Sequence, residues 1–348
     1  MTHENNRMEL SNLYGNISLN VDAEDRQCLF VFDSNYIYPF FVSLFSLSQN
    51  SPTIGKILVA SDRRSLSEKY RLQVQAFCEL IEKEVIFIDI NLADDLPISK
   101  GFNNTTYAKL FAIGSIENKF CYFDVDTLFV NSLEDFWDSE FVLGDNHAIS
   151  ARTDPGISST RSKNLSILNS QGRYFNAGVM IVDPNKWRSL GYSVMLPYAL
   201  SNYVEFGFEW LDQCVFNFLV AGNYKELSPQ FNRFVGEKYC DSEKTSIFHF
   251  AGSHKKPWRI PKSLFRRFLY LRLAIFAKPF REYLKYEKLM LKFLKKSNRS
   301  FYGIVVSHRN NEFARAPHLI DLLLFKYEMR RFGWLFKLLH RKLTFRRR

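Results

Sequence analysis

Phe120-Cys-Tyr-Phe-Asp124-Val-Asp126 is a four-residue apolar run that stops on an acid, with a second acid two positions later. Three earlier segments are built alike: Cys28-Leu-Phe-Val-Phe32, Lys56-Ile-Leu-Val-Ala60 and Val85-Ile-Phe-Ile-Asp89. Each is short and rich in β-branched or aromatic residues without polar alternation, as a strand covered on both faces would be. Between them the period changes. From Ser65 to Glu82, Leu66, Tyr70, Val74, Phe77 and Ile81 recur every three or four residues, which gives a helix one apolar side. This alternation predicts an α/β fold, a mostly parallel sheet with helices on both sides, whose ligands sit beyond the carboxyl ends of the strands. Asp33, Asp89 and Asp124 stand at three of those ends. Asn176 to Val182 reads as a further strand, Pro184 opens a helix, and Glu209 to Ala221 forms another. Arg152 to Arg173, rich in Ser, Asn, Gly and Arg without periodicity, is expected to be a lid-like excursion from the core.

A chain of 348 residues with 46% hydrophobic and 24% charged residues is too apolar to be a disordered polymer and must bury a sizeable core. Cys28, Cys78, Cys121, Cys214 and Cys240 are odd in number, widely spaced and never in a Cys-x-x-Cys pair. That argues against a zinc ribbon or disulfide framework and predicts a reducing compartment. The first twenty residues lack a basic segment followed by an apolar stretch, and no run reaches about 18 uninterrupted apolar residues, so neither secretion nor membrane spanning is expected.

The net charge of +11 is unevenly placed: residues 1–255 carry 22 basic against 31 acidic side chains, and residues 256–348 carry 25 against 5. In the tail, Arg281, Lys285, Lys288, Lys292 and Lys295 are spaced by four, three, four and three, with Phe280, Leu284, Leu291 and Leu294 on another face of the same helix. Ile320, Leu323, Leu324, Tyr327, Leu335, Leu338 and Leu339 likewise alternate with Lys326, Arg330, Arg331, Lys337 and Arg341. Such two-faced basic helices suit an anionic membrane surface, where they lie in the interface. Nucleic acid, bound through phosphates and stacked bases, ranks below it.

Two carboxylates at Asp124 and Asp126 can address one divalent cation, and hard oxygen ligands suit Mg²⁺ or Mn²⁺ with positions left open for substrate phosphates. His249-Phe-Ala-Gly252-Ser-His-Lys255-Lys256-Pro-Trp258 follows the apolar Ser246-Ile-Phe248 and lies at another strand end. An imidazole, a glycine that admits close backbone approach and a lysine together form a set for a metal-bridged diphosphate.

Six blocks, in order, resemble the retaining nucleotide-sugar transferases of glycosyltransferase family 8. They are Phe32-Asp33-Ser-Asn35-Tyr36, Thr106-Tyr-Ala-Lys109, Tyr122-Phe-Asp124-Val-Asp126-Thr, Phe175-Asn176-Ala-Gly178, Asp212-Gln213 and His249 to Trp258. The resemblance implies a GT-A type, Rossmann-like mixed sheet flanked by helices, and a retaining transfer of glucose or galactose from a UDP-sugar to a saccharide acceptor, lipid-linked as in lipopolysaccharide assembly. It implies that Asp124, Asp126 and His249 hold Mn²⁺ (or Mg²⁺). Asp33, Asn35 and Tyr36 would receive the uridine, with Tyr36 stacking on uracil. Lys109 stands where the family usually has arginine, a point charge in place of a planar fork. Gly252 and one lysine would contact the diphosphate: spacing selects Lys255, and the Lys-Pro-Trp context selects Lys256. Asn176, Gly178 and Asp212 would line the donor-sugar pocket, with Gln213 near the anomeric carbon.

The expected organisation is an N-terminal extension over residues 1–27, a GT-A domain over 28–258 and a basic, helical, membrane-associating region over 259–348. The protein would then sit in the cytoplasm on the inner face of a membrane. The alternative from another class is an inactive transferase-like scaffold whose tail binds membrane or nucleic acid. Asp62, Asp89 and Asp183 fit strand ends or caps and receive no role.

Overall fold

The computed structural model describes residues 26–94, 96–97, 104–137, 141, 143–144, 146–157, 172–237, 244–252, 256–259 and 277–314. Ten strands lie in this part: β1 (Gln27–Val31), β2 (Lys56–Ser61), β3 (Glu84–Asp89), β4 (Phe120–Phe123), β5 (Thr127–Phe129), β6 (Ile149–Thr153), β7 (Phe175–Val182), β8 (Lys225–Glu226), β9 (Arg233–Phe234) and β10 (Ile247–His249). The helices are α1 (Ile37–Asn50), α2 (Glu68–Leu80), α3 (Ala108–Ser115), α4 (Pro184–Ser189), α5 (Tyr192–Ser201), α6 (Leu211–Val220), α7 (Lys278–Ser297) and α8 (Arg299–Ala314). Residues 158–171, most of the expected lid, and 320–341, the second basic amphipathic segment, lie outside the described residues.

Seven strands form one sheet in the order β3-β2-β1-β4-β7-β6-β8, and β5, β10 and β9 form a second. Strands β1 to β4 run parallel, but β7 is antiparallel to both β4 and β6. The sheet is therefore mixed but mostly parallel, as the strand–helix alternation predicts, with β7 alone reversed among its seven strands. That alternation ends at β4, and an antiparallel neighbour requires no crossover helix. The chain lays β1, β2 and β3 outward in one direction and then returns to place β4 on the other side of β1. This reversal opens a crevice at the carboxyl ends of β1 and β4, where Asp33 and Asp124 stand.

Side chains alternate between two buried layers. Cys28, Phe30 and Phe32, with Cys121 and Phe123, face α1 and α2, while Leu29, Val31, Phe120 and Tyr122 face α3 and α6. All eight residues of β7 are buried. Burying a Phe, Leu or Val side chain contributes about 1.5–3 kcal/mol, so both layers hold the crevice rigidly from behind. Cys28, Cys78, Cys121 and Cys214 are buried free thiols. Asp62 is paired with Arg64, Asp89 with Arg71 and Arg63, and Asp183 accepts from the Lys186 N–H at the start of α4.

The packing continues past Trp258. On α7 the five expected cations are all exposed, but the buried face is rotated from the expected one: Phe280, Tyr283, Tyr286, Glu287, Met290 and Leu294 are buried, and Leu284 and Leu291 are half-buried. The tyrosines turn the stripe, since each packs its ring inward like an apolar residue. Tyr286 Oη takes a hydrogen bond from Asn50 Nδ2 at 2.8 Å. Glu287, 4% exposed, accepts from Tyr38 Oη at 2.5 Å and from Arg309 Nε at 3.1 Å, and so joins α7 to α1 and α8. Burial first, and then the Glu287 carboxylate, pushes the Tyr38 hydroxyl well above its ordinary pKa.

Removing that carboxylate strands a buried hydroxyl and a half-buried guanidinium. Glu287→Ala is expected to cost about 2–4 kcal/mol in urea unfolding, whereas Lys288→Ala on the solvent side should change stability by less than about 0.5 kcal/mol. Equal effects would show that the contact does not anchor the helix.

Candidate active site

A cavity of about 460 Å³ opens at the carboxyl ends of β1 and β4. Its walls include Asp33, Asn35 and Tyr36 from the turn after β1, Thr106 before α3, Tyr122, Asp124 and Asp126, and Lys256 and Arg259. The volume is that of a typical small-molecule site.

Three chain segments meet at its floor. After β4 the chain turns sharply, with the Thr127 N–H and Oγ1 both donating to Asp124 O at 3.1 and 2.8 Å. That turn lets Asp124 and Asp126 face the same space. Strand β10 then pairs antiparallel with β5 in the register His249↔Thr127, and the Phe250 N–H donates to Asp126 O at 2.9 Å. His249 is thereby delivered beside the acids, as expected from the sequence. One ligand atom from each of Asp124, Asp126 and His249 lies within 4.8 Å of the other two.

Gly178 makes this convergence possible. It lies on β7 opposite the end of β4, and its carbonyl accepts from the Asp124 N–H at 2.8 Å. A Cβ there would stand 2.3 Å from His249 Cε1 and 2.8 Å from both His249 Nε2 and Asp124 Oδ2. The glycine thus packs against the ligand set itself. Gly252 has φ +85°, a left-handed conformation that disfavours other residues.

These residues fit a divalent cation. Asp126 Oδ1 is buried, has no hydrogen-bond donor, and faces His249 Nε2 at 3.2 Å, with Asp124 Oδ2 3.7 Å from the same nitrogen. Two carboxylate oxygens and one imidazole nitrogen beside an open cavity leave coordination positions for phosphate oxygens. Burial works against ionising Asp126, but the Lys256 ammonium beside it holds its carboxyl well below the usual range. Lys256, 7% exposed, bonds Asp126 Oδ2 and donates to Phe250 O at 2.8 Å. Lys255 lies outside the described residues. Asp124 is steadied through its other oxygen, which accepts from Tyr122 Oη at 2.5 Å.

Lys109 stands behind the cavity wall. Its ammonium is 2.6 Å from Asp212 Oδ2 and 3.5 Å from Asp124 Oδ1, donates to Ala177 O at 3.2 Å, and lies 4.5 Å from the Tyr122 ring centre. Burial opposes its charge, yet Asp124 and Asp212 raise its pKa overall. Burial pushes the Asp212 carboxyl up, against the pull of Lys109 and a hydrogen bond from Thr106. The lysine therefore cross-links the cation side to Asp212. Leu211, just before Asp212, has φ +38°, an uncommon conformation for leucine, held by burial and by a 2.9 Å bond from its N–H to Tyr203 Oη. This turn presents Asp212 and Gln213 together at the start of α6.

Asn176 donates to Gln213 Oε1 at 2.9 Å, and Gln213 Nε2 donates to Asp154 Oδ2 at 3.3 Å. Of the expected site residues that are described, Asp33, Asn35, Tyr36, Asp124, Asp126 and Lys256 line the cavity, while His249, Gly178, Lys109, Asp212, Asn176 and Gln213 stand behind its wall, joined to it through the contacts above; Gly252 is not on the wall. Sequence reading missed Asn232, Asp154 and Arg259. Asn232 bonds both Asn176 and His249, at 3.1 and 2.9 Å. Arg259 places its guanidinium 4.8 Å from the Tyr36 ring centre. Its position directly after Trp258 was the one available signal, and the basic tail concealed it.

No helix among the described residues is long and apolar enough to cross a membrane. General stress protein A of Bacillus subtilis (strain 168) is 23% identical over 249 residues, covering 65% of this chain and 85% of its own. Glycosyltransferase GlyE of Streptococcus pneumoniae serotype 4 is 26% identical over 222 residues, covering 62% of this chain and 49% of its own. Among solved structures, the galactosyltransferase LgtC, in complex with donor and acceptor sugar analogues, aligns with a TM-score of 0.57 at 23% identity over 74% of this chain and 99% of that one. At that identity the likeness establishes the fold, GT-A, with its mixed sheet flanked by helices. The family described as Glycosyl transferase family 8 matches residues 27–260, well over half of the sequence and the whole of the crevice, and the chain belongs to that family.

Proposed function

We propose that the protein transfers a hexose, glucose or galactose, from a UDP-sugar to a saccharide acceptor with retention of configuration. The observation that supports this reading most directly is the meeting of Asp124, Asp126 and His249 beside a nucleotide-sized cavity. A divalent ion held there, Mn²⁺ by its mixed oxygen and nitrogen ligands or Mg²⁺, would offset the charge that builds on the diphosphate as the sugar departs. The chain's own groups do the rest. Asp33, Asn35 and Tyr36 receive the uridine: Asp33 Oδ1 accepts from the Asn35 N–H at 2.8 Å, which fixes the turn, and Tyr36 turns its ring to the cavity. Lys256, Arg259 and the left-handed turn at Gly252 form the diphosphate side.

Asn176 and Asp212 retain one N–H and spare lone pairs, respectively, for sugar hydroxyls. Gln213 Oε1 already accepts from Asn176 Nδ2 and from the Ala177 N–H at 3.2 Å. That oxygen is turned into the strand, where it cannot act as nucleophile without breaking both bonds. Attack of the acceptor on the leaving-group side, with the departing phosphate taking its proton, is the route these positions favour.

The acceptor on this reading is lipid-linked and the protein docks on the inner face of a membrane. The exposed row Arg281, Lys285, Lys288, Lys292 and Lys295, with half-exposed Leu289 among them, supports that docking. Each cation near an anionic surface contributes about 1 kcal/mol.

Three measurements test these assignments. Titration of UDP in the presence of Mn²⁺ should show metal-dependent binding that Asp126→Asn weakens by about 100-fold or more with unchanged circular dichroism, a loss of about 2.7 kcal/mol. Gly178→Ala should weaken it similarly by displacing His249, and wild-type affinity in either variant would reject the cation site. Mass spectrometry of UDP-sugars incubated with Mn²⁺ should reveal slow hydrolysis of a UDP-hexose; no turnover of any donor, with acceptors supplied, would favour the scaffold reading. Changing the five cations of α7 to glutamine should lower flotation with phosphatidylglycerol vesicles by more than about tenfold without altering UDP binding. Equal flotation would refute docking through this helix.

A further inference from the structure

A line of side-chain amides runs behind the ligand set, and backbone groups determine its direction. Gln213 Oε1 accepts from the Ala177 N–H, and Asn176 Oδ1 accepts from the Gly178 N–H at 3.0 Å. A backbone N–H only donates, so in both amides the oxygen must face it; turning either amide over would set donor against donor. Asn176 Oδ1 is also the partner of Asn232 Nδ2 at 3.1 Å, which commits the Asn232 nitrogen. The Asn232 oxygen is left facing His249 Nδ1 at 2.9 Å. An amide oxygen only accepts, and the proton must therefore be on Nδ1.

We propose that Asn232 is a positioning residue of the cation site, which holds His249 in the Nδ1–H tautomer so that the Nε2 lone pair points at Asp126 Oδ1 and Asp124 Oδ2. The inference rests on the cation site of the proposed function and adds the group that orients its nitrogen ligand. Two restraints complete the hold. Asn232 is fully buried, and Phe234 stacks on the imidazole with ring centres 5.3 Å apart, so the ring can neither tilt nor exchange its bond for one to water. Imidazole free in water prefers the opposite tautomer, with the proton on Nε2, which would point a hydrogen at the acids and block a metal. With the proton on Nδ1, Nε2 and the unpartnered Asp126 Oδ1 present two lone pairs to one another across 3.2 Å. That arrangement is unfavourable until a positive charge lies between them. The same line of amides reaches Asn176 and Gln213, so the residues assigned to the sugar and the residue assigned to the cation share one hydrogen-bond polarity.

The test is long-range ¹H–¹⁵N correlation spectroscopy on the full chain, free of metal, in buffer alkaline enough for a neutral ring. Wild-type His249 should show Nδ1 protonated and Nε2 bare. Asn232→Leu, similar in volume but unable to accept, should move the ring towards Nε2–H and weaken Mn²⁺ binding, followed by the electron paramagnetic resonance of the free ion, by about 10–100-fold. Asn232→Asp, which keeps an acceptor opposite Nδ1, should preserve the wild-type tautomer. A wild-type ring with its proton on Nε2 would overturn the inference, and that spectrum requires no variant to fold. Unchanged Mn²⁺ affinity in Asn232→Leu would overturn it too. An Nδ1–H ring in a protein that binds no UDP would support the Asn232 assignment while removing the donor reading, so the two fail separately.

Discussion

The register of one short strand pair governs the site. β10 and β5 share only three residue pairs, yet the pairing His249↔Thr127 brings an imidazole to a turn more than a hundred residues earlier. A slip by one residue would turn His249 to the opposite face of the small sheet, because side chains alternate along a strand. The register is held at both ends by backbone hydrogen bonds, Phe250 N–H to Asp126 O and Val130 N–H to Ser246 O at 2.9 Å each, within a pair whose Ile247, Phe248, Leu128 and Phe129 are all buried in the core. A buried strand pair thus sets the geometry of the most polar part of the molecule.

That polar part is not electrostatically balanced by the side chains closest to it. Asp124, Asp126 and Asp212 face Lys109 and Lys256, three carboxylates against two ammonium groups, in a region mostly shielded from water. The lysines are placed to make the acids tolerable without filling the space between them: Lys109 grips Asp212 and Asp124 from behind, and Lys256 takes the far oxygen of Asp126. One charge is left over, facing the cavity. An excess of charge of one sign in a shielded crevice is costly, and proteins keep such arrangements where a ligand completes them. The left-handed Leu211 beside Asp212 is a second local cost at the same crevice, borne by the packing of α6.

Much of this was legible in the sequence because it depends on local pattern. The strands announce themselves as unbroken apolar runs, and their acids necessarily fall at carboxyl ends, where a sheet of this kind binds ligands. Asp124 and Asp126 could be read as one site from their spacing, and His249 from its place after Ile247 and Phe248. Lys109 was legible as a charge but not as an internal brace, since the identity of its partner depends on how α3 and α6 pack. Asn232 had no signal at all. It sits in Ser228-Pro-Gln-Phe-Asn232, a turn with no periodicity, and its meaning comes from two hydrogen-bonded neighbours distant in the sequence, Asn176 and His249. The buried face of α7 was misplaced for a related reason: a hydropathy reading counts Leu284 and Leu291 before Tyr283 and Tyr286, whereas the cavity left by α1 accepts flat rings.

The link between α7 and α1 also relates the two ends of the proposed chemistry. Tyr36 forms part of the cavity wall, and α1 begins at the next residue; Tyr38, in its first turn, donates to Glu287 of α7. The exposed cations of α7 are on the side of the helix opposite that contact. A membrane-docked α7 would therefore transmit its orientation to the wall beside Tyr36 through one buried hydrogen bond and the aromatic layer around it, in which Phe250 packs against Phe280 and Tyr283. Phe250 is the residue after His249. The helix that would meet the lipid is consequently packed against the same backbone that carries the cation ligand, and a rigid link of this kind would keep the cavity at a constant height and tilt above the surface from which a lipid-linked acceptor must reach it.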